Sequence, residues 1–216
     1  MIKLRTRTRL ADVGTVAILG VMAATIGPGL ARAQEPKSPA PEVEGIVKAL
    51  GGTPEGKTRS FSIHGKKPLS AEHRAVVEAV KKKGTRGLSV GERNSLAEAT
   101  ERLPSIDLEV YFDFNSDEVN ASSEDTVKAL GQALTHPSFA GSNFIVAGHT
   151  DAKGGDDYNR ELSERRAAAV RRLLIERNQL SESRLLAVGY GEEQLKNSSL
   201  PGADENRRVQ IVNLGE

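Results

Sequence analysis

Between residues 106 and 214 the apolar pattern switches between a period of two and a period near 3.6, and this restricts the chain to a few arrangements. Ile106, Leu108, Val110, Phe112 and Phe114 alternate with Asp107, Glu109, Tyr111 and Asp113, which predicts a half-buried strand over 106–114. Ser122 or Ser123 opens a helix carrying Val127, Leu130 and Leu134 that ends near His136 and Pro137. Further strands are predicted at 143–149, 184–188 and 207–214, with a long helix at 158–177. The order β-α-β-α-β-β points to an α+β fold, a small mixed sheet with helices packed on one face.

Upstream of 105 the pattern is thinner. Val43, Ile46, Val47 and Leu50 recur at helical spacing and stop at Gly51 and Gly52. Phe61 and Ile63 alternate in 59–63, as in a short isolated strand. Ser70 caps a second helix through Val76, Val77 and Val80, which closes on three lysines and Gly84. Ser89 and Glu92 form an S-x-x-E capping box ahead of Leu96, Ala97 and Ala99. With so few large apolar residues, 43–104 is expected to be a weakly packed helical segment, an adaptor ordered against a partner or against the next domain, 105–216.

Residues 34–42 hold three prolines and no large apolar side chain, the composition of a solvated linker. Ahead of them Lys3, Arg5, Arg7 and Arg9 precede an apolar run, 13–26, and Ala31-Arg32-Ala33 follows. That is the layout of a signal peptide over 1–33, cleaved before Gln34. An uncleaved anchor is disfavoured by Gly27-Pro28-Gly29, which breaks the run. Loss of 1–33 turns a formal net charge of +1 into −3. A whole-chain nucleic-acid binder is therefore not expected. The absence of cysteine excludes a disulfide framework, thiol catalysis and a lipidated N-terminal Cys. The expected compartment is a bacterial periplasm, where ATP and NAD are not expected.

Two patterns carry little. Residues 51–58, Gly-Gly-Thr-Pro-Glu-Gly-Lys-Thr, satisfy G-x-x-x-x-G-K-S/T, but a phosphate loop needs a buried strand before it and a helix after it, and neither is predicted here. His149 with Asp151, Asp156 and Asp157 has only weak metal-ligand spacing, and the two later aspartates suit the start of a helix. No cofactor or metal is expected. No Ser motif or paired nucleophile and base is present, so no enzymatic activity is expected.

The helix at 158–177 is more informative. At 100° per residue Asn159, Leu162, Arg166, Val170 and Leu173 share one face, while Arg160, Glu161, Glu164, Arg165, Ala168, Arg171 and Arg172 take the other. Arg166 thus falls in an apolar stripe, where a guanidinium needs a partner. Asp151 lies fifteen residues earlier, just past a strand, within reach of the same pocket. From the residues alone the two are either an internal salt bridge or a pair that grips a ligand.

Gly148-His149-Thr150-Asp151-x-x-Gly154, then Tyr158-Asn159-x-x-Leu162-Ser163-x-x-Arg166-Ala167-x-x-Val170, then Gly189-Tyr190-Gly191-Glu192 and Asn206-Arg207-Arg208-Val209 occur in one order. Over 106–214 the chain resembles the OmpA-like peptidoglycan-binding domain of OmpA-type porins, peptidoglycan-associated lipoproteins and flagellar stator subunits. The resemblance implies a non-covalent tether to peptidoglycan through the diaminopimelate residue of its stem peptide. It places Asp151 against the ligand's ammonium and Arg166 against its carboxylate, a complementary pair. It also implies Phe114 and Asn115 as pocket lining, Thr150, Asn159 and Leu162 as contacts, and Arg207 as a nearby basic residue. Gly189, Gly191 and Glu192 are implied to be structural. Many relatives carry a proline soon after the Gly-x-Gly-Glu turn, where this chain has Gln194 and Leu195.

Within the family, a lipoprotein needs a cysteine, a porin needs a barrel that 34–105 is too short to form, and a stator needs an acidic residue in a retained membrane helix. A periplasmic protein, outer-membrane associated through another envelope protein, is the remaining expectation. The alternative is an envelope or transport-complex component whose main task lies in 43–104.

Overall fold

The computed structural model describes residues 40–52, 69–85, 87–112 and 116–216, all within one unit spanning 35–216. The expected signal peptide, the strand at 59–63 and all but the first two residues of the phosphate-loop pattern lie outside the described residues.

The continuous apolar runs at 144–147 and 185–188 suit strands buried on both faces. Four strands, β1 (Ser105–Leu108), β2 (Asn143–His149), β3 (Leu185–Gly191) and β4 (Val209–Gly215), form one sheet in the order β1-β4-β2-β3. β4 is antiparallel to both neighbours, and β2 and β3 are parallel. A parallel pair cannot be joined by a tight turn, and here a 23-residue helix spans the gap. The β-α-β-α-β-β order and the mixed sheet are as the sequence implies. β1 is shorter than its alternation suggests. Its ladder ends where Leu108 meets Val209, and beyond it only Phe112 and Val119 form an isolated bridge.

Among the described residues five α-helices flank the sheet: α1 (Val43–Ala49), α2 (Ala71–Lys83), α3 (Val90–Thr100), α4 (Glu124–Leu134) and α5 (Asp156–Asn178). Phe144, Val146, Leu185, Val209 and Ile211 face α1, α4 and α5. The two crossover helices thus lie on one face, as expected. Ile145, Ala147, Leu186, Val188 and Val212 face the other way, against Val77, Val80, Leu96 and Ala99 of α2 and α3. The described helices of the 43–104 segment thus pack against the strands of 105–216. The sheet has a second apolar face that must be kept from water, and α2 and α3 cover it.

The helix ends follow the capping rules. Ser70 Oγ accepts from the His73 N–H, Ser89 and Glu92 form the reciprocal box, and Gly84 closes α2 with φ +79°. No described helix is long and apolar enough to cross a membrane. Leu96 is fully buried in the second face. Leu96→Ala is expected to destabilise the whole unit by about 2–5 kcal/mol in urea denaturation. A loosely attached segment would instead leave the main transition unmoved.

Candidate functional site

Three glycines bring α5 against the ends of β2 and β3. A Cβ on Gly148 would stand 2.2 Å from the Ser163 carbonyl oxygen, and one on Gly189 would stand 2.4 Å from the Glu164 nitrogen. Gly191 has φ +57° and would meet Arg160 backbone at 2.9 Å. Buried Ser163 fastens the contact by accepting a 2.8 Å hydrogen bond from the Gly191 N–H. Gly148→Ala is accordingly expected to cost at least about 1–3 kcal/mol of stability, measured by thermal denaturation, because backbone cannot rotate away as a side chain can.

The 150–155 loop is held by backbone and by one amide. Thr150 N–H donates to Gly191 O at 2.9 Å, and Ala152 N–H donates to Pro201 O at 3.0 Å. Asn159 Nδ2 reaches Asp151 O at 3.3 Å, Lys153 O at 3.2 Å and Glu192 Oε2 at 2.5 Å. Asn206, also fully buried, holds the facing turn by donating to Leu200 O and Pro201 O, both at 3.0 Å.

Arg166 emerges half-buried from the flank of α5. The buried line of this helix runs through Asn159, Ser163, Ala167, Val170 and Leu174, and Arg166 lies beside it and not within it. Its Nε donates to Ser116 O at 3.4 Å, and its guanidinium sits 4.7 Å from the Phe112 ring centroid. No described carboxylate lies within ion-pair distance of it. Burial pulls its pKa below the usual arginine value, and Arg207 pulls in the same direction, against Tyr158 and Asp151.

Of the two readings of Asp151 and Arg166, the internal salt bridge is not formed among the described residues; the partner of Asp151 is Arg207. Nη1 of Arg207 lies 2.8 Å from Oδ2 of buried Asp151 and 2.7 Å from Oδ1 of exposed Asp204. Lys153 Nζ lies 3.8 Å from the same Asp151 oxygen. Burial acts to lower the Arg207 pKa, but the hydrogen bonds to Asp204 and Asp151 outweigh it and raise the value. Arg166 and Arg207 share a cavity of about 250 Å³ walled also by Tyr111, Phe112, Asp204 and Glu205. The lining combines two guanidiniums, that of Arg166 without a carboxylate partner among the described residues, with the carboxylates of Glu109, Asp204 and Glu205 and two aromatic rings, so it offers charges of both signs to a ligand.

The other expected contacts are distributed unevenly. Leu162 is buried in α5, and the Asn159 amide is spent on the protein's own loop and not turned to a ligand. Thr150 is buried, with a hydroxyl that has no partner among the described residues. Phe114 and Asn115 lie outside the described residues. Asp204, Glu205 and Tyr111 were not anticipated. Asp204 had one signal, its place three residues before Arg207.

His149 belongs to the opposite face. Its ring stacks on Tyr190 at 5.5 Å between centroids, away from Asp156 and Asp157. Burial first, and Arg208 second, push its pKa down to about 3. Among the described residues no group of three or more His, Asp or Glu is placed to hold a metal.

Residues 111–208 match the OmpA family. An outer membrane porin F of Pseudomonas aeruginosa is 37% identical over 114 residues, which cover 52% of this chain and 32% of the porin. A peptidoglycan-associated lipoprotein of the same organism is 33% identical over 106 residues, 47% of this chain and 59% of the lipoprotein. The chain thus spans about a third of the porin and somewhat more than half of the lipoprotein. The crystal structure of the peptidoglycan-associated lipoprotein from Burkholderia pseudomallei is 30% identical and is covered over 87% of its length, against 48% of this chain, with a TM-score of 0.41. On the match over 111–208, this chain contains an OmpA family domain.

Proposed function

We propose that this chain binds peptidoglycan non-covalently, gripping the diaminopimelate side chain of the stem peptide and so tethering the cell envelope to the wall. The observation that carries the reading is Arg166, a half-buried guanidinium without a described carboxylate, facing a cavity it shares with Arg207. A carboxylate entering there satisfies Arg166 in the forked geometry that a guanidinium prefers. Asp151, buried and paired with Arg207, is our candidate for an ammonium on the same ligand. The relatives named peptidoglycan-associated lipoproteins support the ligand class.

The chain is read as a binding protein and not an enzyme, with these residues assigned to holding the ligand. The rest of the reading follows from the sequence: 1–33 a cleaved signal peptide, 34–42 a linker, and a periplasmic location beside the outer membrane. Because α2 and α3 cover the second face of the sheet, we assign 69–103 to the wall-binding body, with its outer surface left for an envelope partner.

Calorimetry with two soluble stem peptides tests the assignment. A diaminopimelate peptide is expected to bind. Its lysine counterpart, lacking the distal carboxylate, is expected to bind about 30-fold or more weakly, the cost of leaving Arg166 unpaired. Equal affinity for the two would sink the role given to Arg166.

A further inference from the structure

Asp151 is not free to receive a ligand. Its buried carboxylate already has a cation, because Nη1 of Arg207 stands 2.8 Å from Oδ2. An unpaired buried carboxylate would be costly, so some cation must occupy that position whenever the ligand is away. The same nitrogen also stands 2.7 Å from Asp204, three residues earlier on the same turn and exposed. Arg207 therefore has a second carboxylate to which it can withdraw without becoming unpaired.

We propose that Arg207 is an internal stand-in for the ligand's ammonium: it holds Asp151 in the empty protein and withdraws onto Asp204 when an ammonium-bearing ligand arrives. This rests on the reading given under Proposed function and goes beyond it by making Arg207 and Asp204 the pair that sets ligand selectivity. A ligand with a carboxylate alone enters between Arg166 and Arg207 and leaves the Asp151–Arg207 pair in place. A ligand with both groups must exchange its ammonium for Arg207. Arg207 thus assists the first class of ligand and competes with the second, and its removal has opposite signs for the two.

The experiment titrates the full chain calorimetrically with two stem peptides, one containing diaminopimelate and one containing 2-aminopimelate, which keeps the distal carboxylate but lacks the distal ammonium. Arg207→Gln is expected to tighten the diaminopimelate peptide about tenfold, the equivalent of removing one modest competing ion pair, and to loosen the aminopimelate peptide. Asp204→Asn, at an exposed position that leaves the fold undisturbed, is expected to loosen the diaminopimelate peptide by closing the retreat. Loosening of the diaminopimelate peptide by Arg207→Gln in a variant that melts like wild type overturns the stand-in and makes Arg207 a direct ligand contact. That outcome leaves the peptidoglycan reading intact. Failure of the unaltered chain to bind either peptide removes both.

Discussion

Arg166→Ala is expected to weaken binding of a diaminopimelate stem peptide by about 30-fold or more, while the protein keeps its fold. The expectation follows from what Arg166 touches. Among the described residues it makes a 3.4 Å hydrogen bond to Ser116 O and lies over the Phe112 ring, neither of which anchors α5. The helix is held by Ala167, Val170 and Leu174 against the sheet and by the close approach of Gly148 and Gly189. The stability cost is therefore about 1–2 kcal/mol, the scale of a half-buried cation–π contact, against a larger loss of binding. Arg166→Lys does not restore affinity, because an ammonium cannot donate two parallel bonds to a carboxylate. Calorimetry with thermal denaturation separates the two effects; an affinity within twofold of wild type contradicts the assignment.

The second large effect is a dependence of stability on pH that originates on the other face. His149 is buried against Tyr190 and its pKa is lowered from 6.5 to about 3. Between those values the unfolded chain carries a proton that the folded chain refuses, so stability is present above about pH 6.5 and is lost as pH falls towards 3. One proton corresponds to about 1.4 kcal/mol per pH unit, so His149 alone removes about 2–3 kcal/mol between about pH 6 and pH 4. His149→Phe keeps a ring on Tyr190 and removes the titration. Urea denaturation across this range is expected to show the wild type losing more stability than the variant. Parallel losses would mean that His149 takes up its proton in the folded state.

Much of this architecture is legible in the sequence, for a physical reason. α5 is a long helix with a helical repeat, β2 is an apolar run of strand length, and Ser70, Ser89 and Gly84 mark helix ends through local hydrogen bonds that need no tertiary context. The α2–α3 layer is harder to read because its buried surface is small, with Ala97 and Ala99 as much of the contact as Leu96. The demand for that layer lies elsewhere, in the unbroken apolar runs of β2 and β3, which leave no face for water. β1 extends in the pattern beyond Leu108 because Val110 and Phe112 still turn inward, although β4 offers no further partner.

The site divides in the same way. Arg166 stands out because helical geometry places a charge beside an apolar stripe. The Asp151–Arg207 pair spans 56 residues and exists because β2 and β4 are neighbours, with His149 N–H donating to Arg208 O at the shared end. Nothing local in the sequence announces that pairing.

Sedimentation with purified diaminopimelate-type sacculi addresses the central claim most directly. The full chain is expected to pellet with the sacculi, and Asp151→Ala and Arg166→Ala, each shown by circular dichroism to be folded, are expected to remain in the supernatant. A wild type that stays in solution, or an Arg166→Ala variant that pellets as fully as wild type, would contradict the account.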